Sequence, residues 1–590
     1  MKISNITTKL TFAFIISVVL FNCTDLQEEV IDEVIGGESS NPESAMAAAY
    51  GQLANGTFTD HGNVFGLQEY PTDECMLPTR GSDWGDGGKW RALTEFTWGT
   101  NNAAVASTWN ALTSGITKTL TAIESLQENP DYANYDLFMA EARGLLALYV
   151  YNTLDLFNQA PYRDLFSEDK SLVILQADTE IDNLITEVET IIPNLANLGE
   201  QQTYNGRFTK QAAYALLADM YLNRAVLKDR YNASSDFNFT EAAVDNDGND
   251  MDKVIYYTSL LINDNFSLES NYFDNFSINN TGGSEIIFAV AQENDNIRRS
   301  DNDFAYMSTG RAQKQTPDNR GTNASCVEPE FYYTWDGNHD DPRFHRHYQY
   351  SDGTWFMNDG TTGSVPAEDT RKDTGKYIFH FNRGLQVGQQ YGPTLDGEGG
   401  FNMTTDGRIA ISMLYMEKNT TVPMDYTPEL NFDNPLEAVF TQDQINRGVR
   451  NFKWEFDPNY GNGTSAVDVP LYRLGGIYCM RAEAYFRNNE TALALADINT
   501  LRTSRTREAL FDNAPGVAIT SLDEETLYNE IGFEMYWEMY RRKQMIRFGT
   551  YDEAYTAKAA TDPYLRVYAI PQATIDVTKE ITQNFGYITQ

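Results

Sequence analysis

The chain has 590 residues, 41% of them hydrophobic and 13% aromatic, with 84 acidic against 44 basic side chains and a net charge of -40. That length and apolar content sustain a sizeable core and argue against wholesale disorder. A field of that sign repels phosphate backbones and strongly anionic polysaccharides, which argues against nucleic acid as a partner and leaves neutral ligands and cations open.

The first residues, MKISNITTKLTFAFIISVVLFNC, combine basic Lys2 and Lys9 with an apolar run from Leu10 to Phe21. That run is too short for a permanent bilayer span and has the pattern of a secretory signal peptide, residues 1–22. It ends on Cys23, as in bacterial lipoprotein signals whose cysteine is diacylated; an ordinary signal with an incidental cysteine is the alternative. TDLQEEVIDE then reads as an acidic tether over 23–40, ahead of a single domain over 41–590.

Helical periodicity follows. In EARGLLALYVYNTLDLF, the residues Ala142, Leu145, Leu146, Tyr149, Val150, Leu154 and Phe157 share one face. TKQAAYALLADMYLNRAV repeats the style with Ala212, Ala213, Leu216, Leu217, Met220 and Tyr221. Leu474, Gly475 and Tyr478 have the Leu-Gly-x-x-Tyr spacing of a tetratricopeptide first helix, and Ala492 and Ala496 suit the second. One further helix is predicted in DEETLYNEIGFEMYWEMYRRKQMIRFG, capped by Asp523 at its start and Gly549 at its end. The expected fold is mainly α: a tetratricopeptide-like scaffold of antiparallel helix pairs over 41–57, 105–275 and 470–550, with long irregular loops and a few short strands.

The loops fall at 58–104 and 285–460, rich in Gly, Asn, Asp, Thr and aromatics. SEIIFAVAQ reads as a short buried strand, TGKYIFHFNRG as a second, and VYAIP near the C-terminus is strand-like. Long ordered loops in a compact domain are usually the working surface. Cys75, Cys326 and Cys479 make neither a zinc motif nor a disulfide framework; Cys479 suits a helix core, and whether Cys75 pairs with Cys326 stays open.

These stretches together resemble the SusD/RagB family of surface lipoproteins. The resemblance rests on TDE (Thr72–Glu74), EARGLLALYVYNTLDLFNQAPY, RFTKQAAYALLADMYLNRA, SEIIFA, DPRF, VPLYRLGGIYCMRAEAYFR, ADINTLRTSR, IRFGTYDE and IPQATIDVTKEITQNFGY, in this order. The late IGFEMYWEMYRRKQM departs from the family's usual run there, and ITQNFGY from its closing motif. The resemblance implies an outer-membrane, lipid-anchored protein facing the exterior. It would bind a poly- or oligosaccharide on its loops and work beside a SusC-like TonB-dependent transporter, with no catalytic role and no cofactor.

Sugars are bound by an aromatic ring under their C–H face and by carboxylates, amides or arginines at the hydroxyl rim. RGSDWGDGGKW offers Trp84 and Trp90 for stacking, and Asp83, Asp86, Arg80 and Lys89 for hydroxyls. The alternative is that both tryptophans tuck under the loop as its private core. Asp73 is a sugar ligand or a loop cap. NRGTNASCVEPEFYYTWDG adds Asn323, Cys326 and Trp335, the last of which could equally anchor a helix; Arg408 follows, with Trp355 and Trp454 weaker. HDDPRFHRH has metal-like spacing in His339, His345 and His347, though its DPRF suits a structural role. VDNDGNDMD is acidic enough for a structural calcium, but its glycine is misplaced for an EF-hand loop and a solvated turn suits it better. A surface glycoside hydrolase and a helical protein-interaction scaffold are the rival functions. No HExxH, P-loop, GxSxG or dinucleotide motif occurs.

Overall fold

A computed structural model describes residues 41–80, 83–165, 171–292, 302–368, 375–417, 419–430, 447–458, 463–507 and 514–588. The expected signal peptide, Cys23 and the tether lie outside the described residues. The elements below belong to the compact unit beginning at Pro42. Among the described residues no helix is long and apolar enough to cross a membrane.

The scaffold is helical. Helix α1 (Pro42–Gln52) packs on α2 (Ala103–Glu128), and α2 packs on α3 (Tyr135–Phe157). Then come α4 (Ala177–Ile191), α5 (Lys210–Lys228) and α6 (Asp250–Ile262), each packed on the next. Late in the chain α7 (Leu474–Arg487) turns within three residues into α8 (Thr491–Ser504) and also lies against α6. The apolar stripes foreseen on α3 and α5 are buried throughout. Small residues set how closely the helices approach: a Cβ on Gly115 of α2 would lie 2.4 Å from the Tyr149 ring of α3. On α8 the buried face is Ala494, Asp497, Ile498 and Leu501, whereas Ala492 and Ala496 face solvent, a correction to the expected pairing face.

Caps mark the helix starts. Asn102 accepts hydrogen bonds from the Ala104 and Val105 amides at α2, and Thr209 from Ala212 at α5. At α6 the acidic run 244–252 is committed locally. Asn249 and Asp252 form a reciprocal capping box, Asp245 pairs with Lys253, and Asp250 pairs with Arg224.

The expected single late helix is two. Asp523 does cap α9 (Glu524–Met535), accepting from the Thr526 amide at 2.9 Å, but the chain leaves the helix before α10 (Arg541–Arg547). Trp537 and Met539 take left-handed backbone angles there, with φ of +56° and +60°. The cause lies far away in sequence: their amides donate to the buried carboxylates of Glu74 and Glu69. Gly549, at φ +76°, follows the end of α10.

The strands are short. Strand β1 (Ile286–Val290) is buried along its whole length and pairs antiparallel with β5 (Val469–Arg473). A second sheet has the order β4–β3–β2, from β4 (Arg450–Phe452), β3 (Arg383–Gln386) and β2 (His345–Arg346). Of the strand expected in TGKYIFHFNRG, only the end at Arg383 and Gly384 is strand, and it runs on to Gln386. The VYAIP run is buried but unladdered; its Tyr568 amide donates to Leu156 and its Ile570 amide to the Gln583 side chain.

Helices and sheets meet at a buried ion network. Glu534 of α9 accepts from Arg473 and Arg505, and Arg343 reaches its other oxygen. Burial works against the charge on Glu534, but Arg505, Arg473 and Arg343 outweigh it and hold the carboxyl down at about 2.

Candidate functional site

The loop after Arg80 is tied down at its base. Met76 and Cys326 exchange two backbone hydrogen bonds, at 2.9 and 3.0 Å. Arg80 is buried and donates through Nε to the Ala324 carbonyl at 3.1 Å and through Nη1 to Arg447 at 2.8 Å. Its role is to staple three segments, not to meet ligand. Burial, with the Arg450 charge beside it, lowers its pKa to about 9.

From this base the segment 83–90 and the segment 303–323 face each other. Asp83 pairs with Arg311 at 3.1 Å. Asn323 turns through φ +56° and its side-chain oxygen accepts the Arg311 amide at 3.1 Å. Trp84 is half-buried, and its indole N–H donates to the Thr322 carbonyl at 3.3 Å. The Thr322 amide in turn donates to the carbonyl of half-buried Tyr306. Asp83, Trp84 and Asn323 are thus brought together, Asp83 and Trp84 half-buried and Asn323 buried.

Trp84 has φ +59°, a backbone state in which the Cβ of an L-residue crowds the following carbonyl. Its neighbour Asp86 is also positive, at +36°. The loop holds Trp84 against His61, whose ring lies perpendicular to the indole at 5.4 Å between centroids. His61 pairs with Asp303 through its side chain and its amide. Burial opposes charge on the imidazole, but Asp303, with Asp60 behind it, outweighs that and raises its pKa. Among the described residues Asp60, His61 and Asp303 bring three donor atoms within 4.8 Å of one another, close enough for a cation. Two of those atoms already serve the protein: His61 Nδ1 faces Asp303, and Asp60 accepts the Gly62 amide at 2.6 Å.

The other sequence candidates sit elsewhere or are inaccessible. Trp90 is 3% exposed, with its N–H on Asp86 at 2.7 Å and its ring against His61 and Tyr70. It is the loop's core, not a platform. Trp335 is fully buried and stacks on Phe533 at 3.8 Å, so it anchors α9. Cys326 is buried beside Met76, Leu430 and Ala557. Asp73 is committed to Arg541. Arg408 lies apart, on Asp352 at 2.7 Å and Ser364 at 2.9 Å. Trp454 is buried and Trp355 half-buried near Gln349. His61, Asp303, Tyr306 and Arg311 were missed; no local motif marks them, and only the fold brings them to Trp84.

Comparison with known proteins bears on the chain as a whole. The sequence profile described as the SusD family matches residues 284–566. The starch-binding protein SusD of Bacteroides thetaiotaomicron is 25% identical over 552 residues, covering 89% of this chain and 85% of that protein. A laminarin-binding SusD-like protein superposes with a TM-score of 0.60 at 17% identity, covering 92% of this chain and 99% of its own. Surface glycan-binding protein A from Bacteroides thetaiotaomicron, solved in complex with laminarihexaose, superposes at 0.57 with 15% identity, over 92% and 98% of the two chains. The structural matches share the fold, and all three relatives are named as binding proteins.

Proposed function

We propose that this chain, which matches the SusD family profile over residues 284–566, works as a member of that family: it captures a neutral poly- or oligosaccharide at the cell surface and passes it to a TonB-dependent transporter of the outer membrane. In this reading Cys23 carries the lipid anchor and the face around Trp84 meets the glycan. The observation that carries it is the backbone of Trp84. A bulky aromatic at φ +59° costs conformational energy, and such strain persists where the surroundings impose it, most often at functional sites. Here it keeps a large apolar ring half-exposed on a loop whose other tryptophan is buried. Asp83 and Arg311 stand beside it with the acceptors and donors that sugar hydroxyls need, while Asn323, 6% exposed, is spent on the Arg311 amide. The relatives' names, binding proteins and not hydrolases, favour capture over catalysis.

Affinity electrophoresis of the chain from Thr24 onward, in gels holding starch, laminarin or other neutral polysaccharides, tests this. Retardation by at least one glycan, lost in Trp84→Ala, is expected. Equal migration in every gel overturns the reading.

A further inference from the structure

A cavity of about 450 Å³ opens beside the β2–β3 pair, inside the ~300–1,000 Å³ range of small-ligand sites. None of its lining belongs to the Trp84 surface. One side is aromatic: Tyr332 and Phe344 are buried there, and exposed His339 stacks flat on Phe344 at 4.6 Å and 21°. His345 and His347 stand on its wall with their rings 4.7 Å apart. Burial, with the neighbouring imidazole, lowers His345 to about 3, and burial lowers His347 too. His345 is therefore uncharged at neutral pH, and its neutral ring carries one donor and one acceptor, one of them turned to the Leu385 backbone. Arg507 and Asp340 also line the cavity, and neither side chain has a partner among the described residues.

An aromatic side faced by an exposed ring, an uncharged imidazole and one unpaired charge of each sign do not suit an anion or a purely apolar guest. They suit an uncharged ring bearing hydroxyls, which stacks by its C–H face and shares its hydroxyls among imidazole, guanidinium and carboxylate. We propose that the cavity walled by His345, His347 and Arg507 is a second carbohydrate subsite, taking a neutral mono- or disaccharide unit, separate from the Trp84 surface. The ligand class rests on the function proposed above; the site does not. The two places lie on either side of one buried amide. Gln313 donates to Gln386 of the cavity wall at 2.8 Å and accepts the Gly310 amide, in the loop beside Asn323, at 2.8 Å. Two subsites on one chain raise avidity for a polymer with no gain at either site.

Calorimetric titration of the chain from Thr24 onward with laminarihexaose and with maltohexaose tests this, beside affinity electrophoresis in starch and laminarin. Two sites per chain are expected with at least one probe. Arg507→Ala, and separately Val387→Trp, which fills the cavity, should each weaken one site about tenfold or more and leave the other, while Trp84→Ala removes the other. Thermal unfolding confirms that each variant is folded, and Arg507→Ala, at a half-exposed unpaired position, keeps the test valid if Val387→Trp does not fold. A single site that ignores both cavity variants overturns the proposal and leaves the Trp84 reading standing. So does retardation in gels, abolished by Trp84→Ala, without hexasaccharide binding to the cavity. Absence of all binding overturns both.

Discussion

Arg541 holds Asp73 with both arms of its guanidinium, Nε on Oδ1 at 2.7 Å and Nη2 on Oδ2 at 2.6 Å. Arg541 is 1% exposed. The pair joins the segment before the Trp84 loop to α10, across nearly the whole length of the chain. Asp73→Ala would strand a buried guanidinium, which costs about 3–5 kcal/mol. Urea unfolding should show that loss, while glycan affinity of the folded protein stays within about twofold, since ~0.4 kcal/mol is all that factor represents. A large loss of affinity at unchanged stability would make Asp73 a sugar ligand after all.

The two tryptophans of the loop should separate by readout. Trp90→Ala empties a packed site and should cost about 3–5 kcal/mol of stability. Trp84→Ala should cost little stability and all retardation in glycan gels. Trp84→Gly relieves the left-handed backbone and should be about 1 kcal/mol more stable than Trp84→Ala, with binding equally lost. Equal stability of the two variants would show that the backbone there is not strained.

Glu69 and Glu74 are buried together and share the work of holding Trp537 and Met539. Burial raises both; Glu74 is pushed up to about 7, and Glu69 is raised further by the Glu74 charge beside it. An unfolded glutamate titrates near ~4.3. The folded chain therefore keeps a proton that the unfolded chain has released, and this contribution to stability is full at acid pH and lost as pH rises through 7. Glu74→Gln keeps an acceptor for the Trp537 amide and removes the titration. Its stability relative to the natural protein should climb between about pH 4 and pH 7 and level off above. A flat difference across that range would mean that Glu74 is ionised in the folded state.

Gly115→Ala places a methyl into the Tyr149 ring, which is fully buried and whose hydroxyl is bonded to the Ala49 carbonyl at 3.0 Å. Overpacking of this kind costs about 1–3 kcal/mol. The thermal midpoint should fall, and glycan binding below it should be unchanged. An unaltered midpoint would show that α2 and α3 can separate freely.

The helical scaffold was legible because α3 and α5 repeat apolar residues at helical spacing, a pattern local to each segment. The cap at Asp523 was legible for the same reason. What failed was non-local. Trp335 sits in a loop by sequence and is buried because Phe533 of α9 stacks on it. The late helix breaks because carboxylates at 69 and 74 capture its amides. Ala492 and Ala496 have the repeat's spacing, but α8 turns its other side inward. At the site, the loop composition singled out Trp84 and Asp83, while His61, Asp303 and Arg311 come from segments with no motif of their own.

The bridge between Met76 and Cys326 settles the fate of two thiols. Neighbouring residues on an extended chain point to opposite sides, so Cys75 enters the main core while Cys326 lies in a small separate cluster. Both are free and fully buried, as is Cys479. In an oxidising compartment the timing of folding then matters. Once folded, the three thiols are buried away from any oxidant in solvent; beforehand, each is open to mispairing. If the chain is exported as proposed, burial of all three thiols in the folded state is what would keep them reduced.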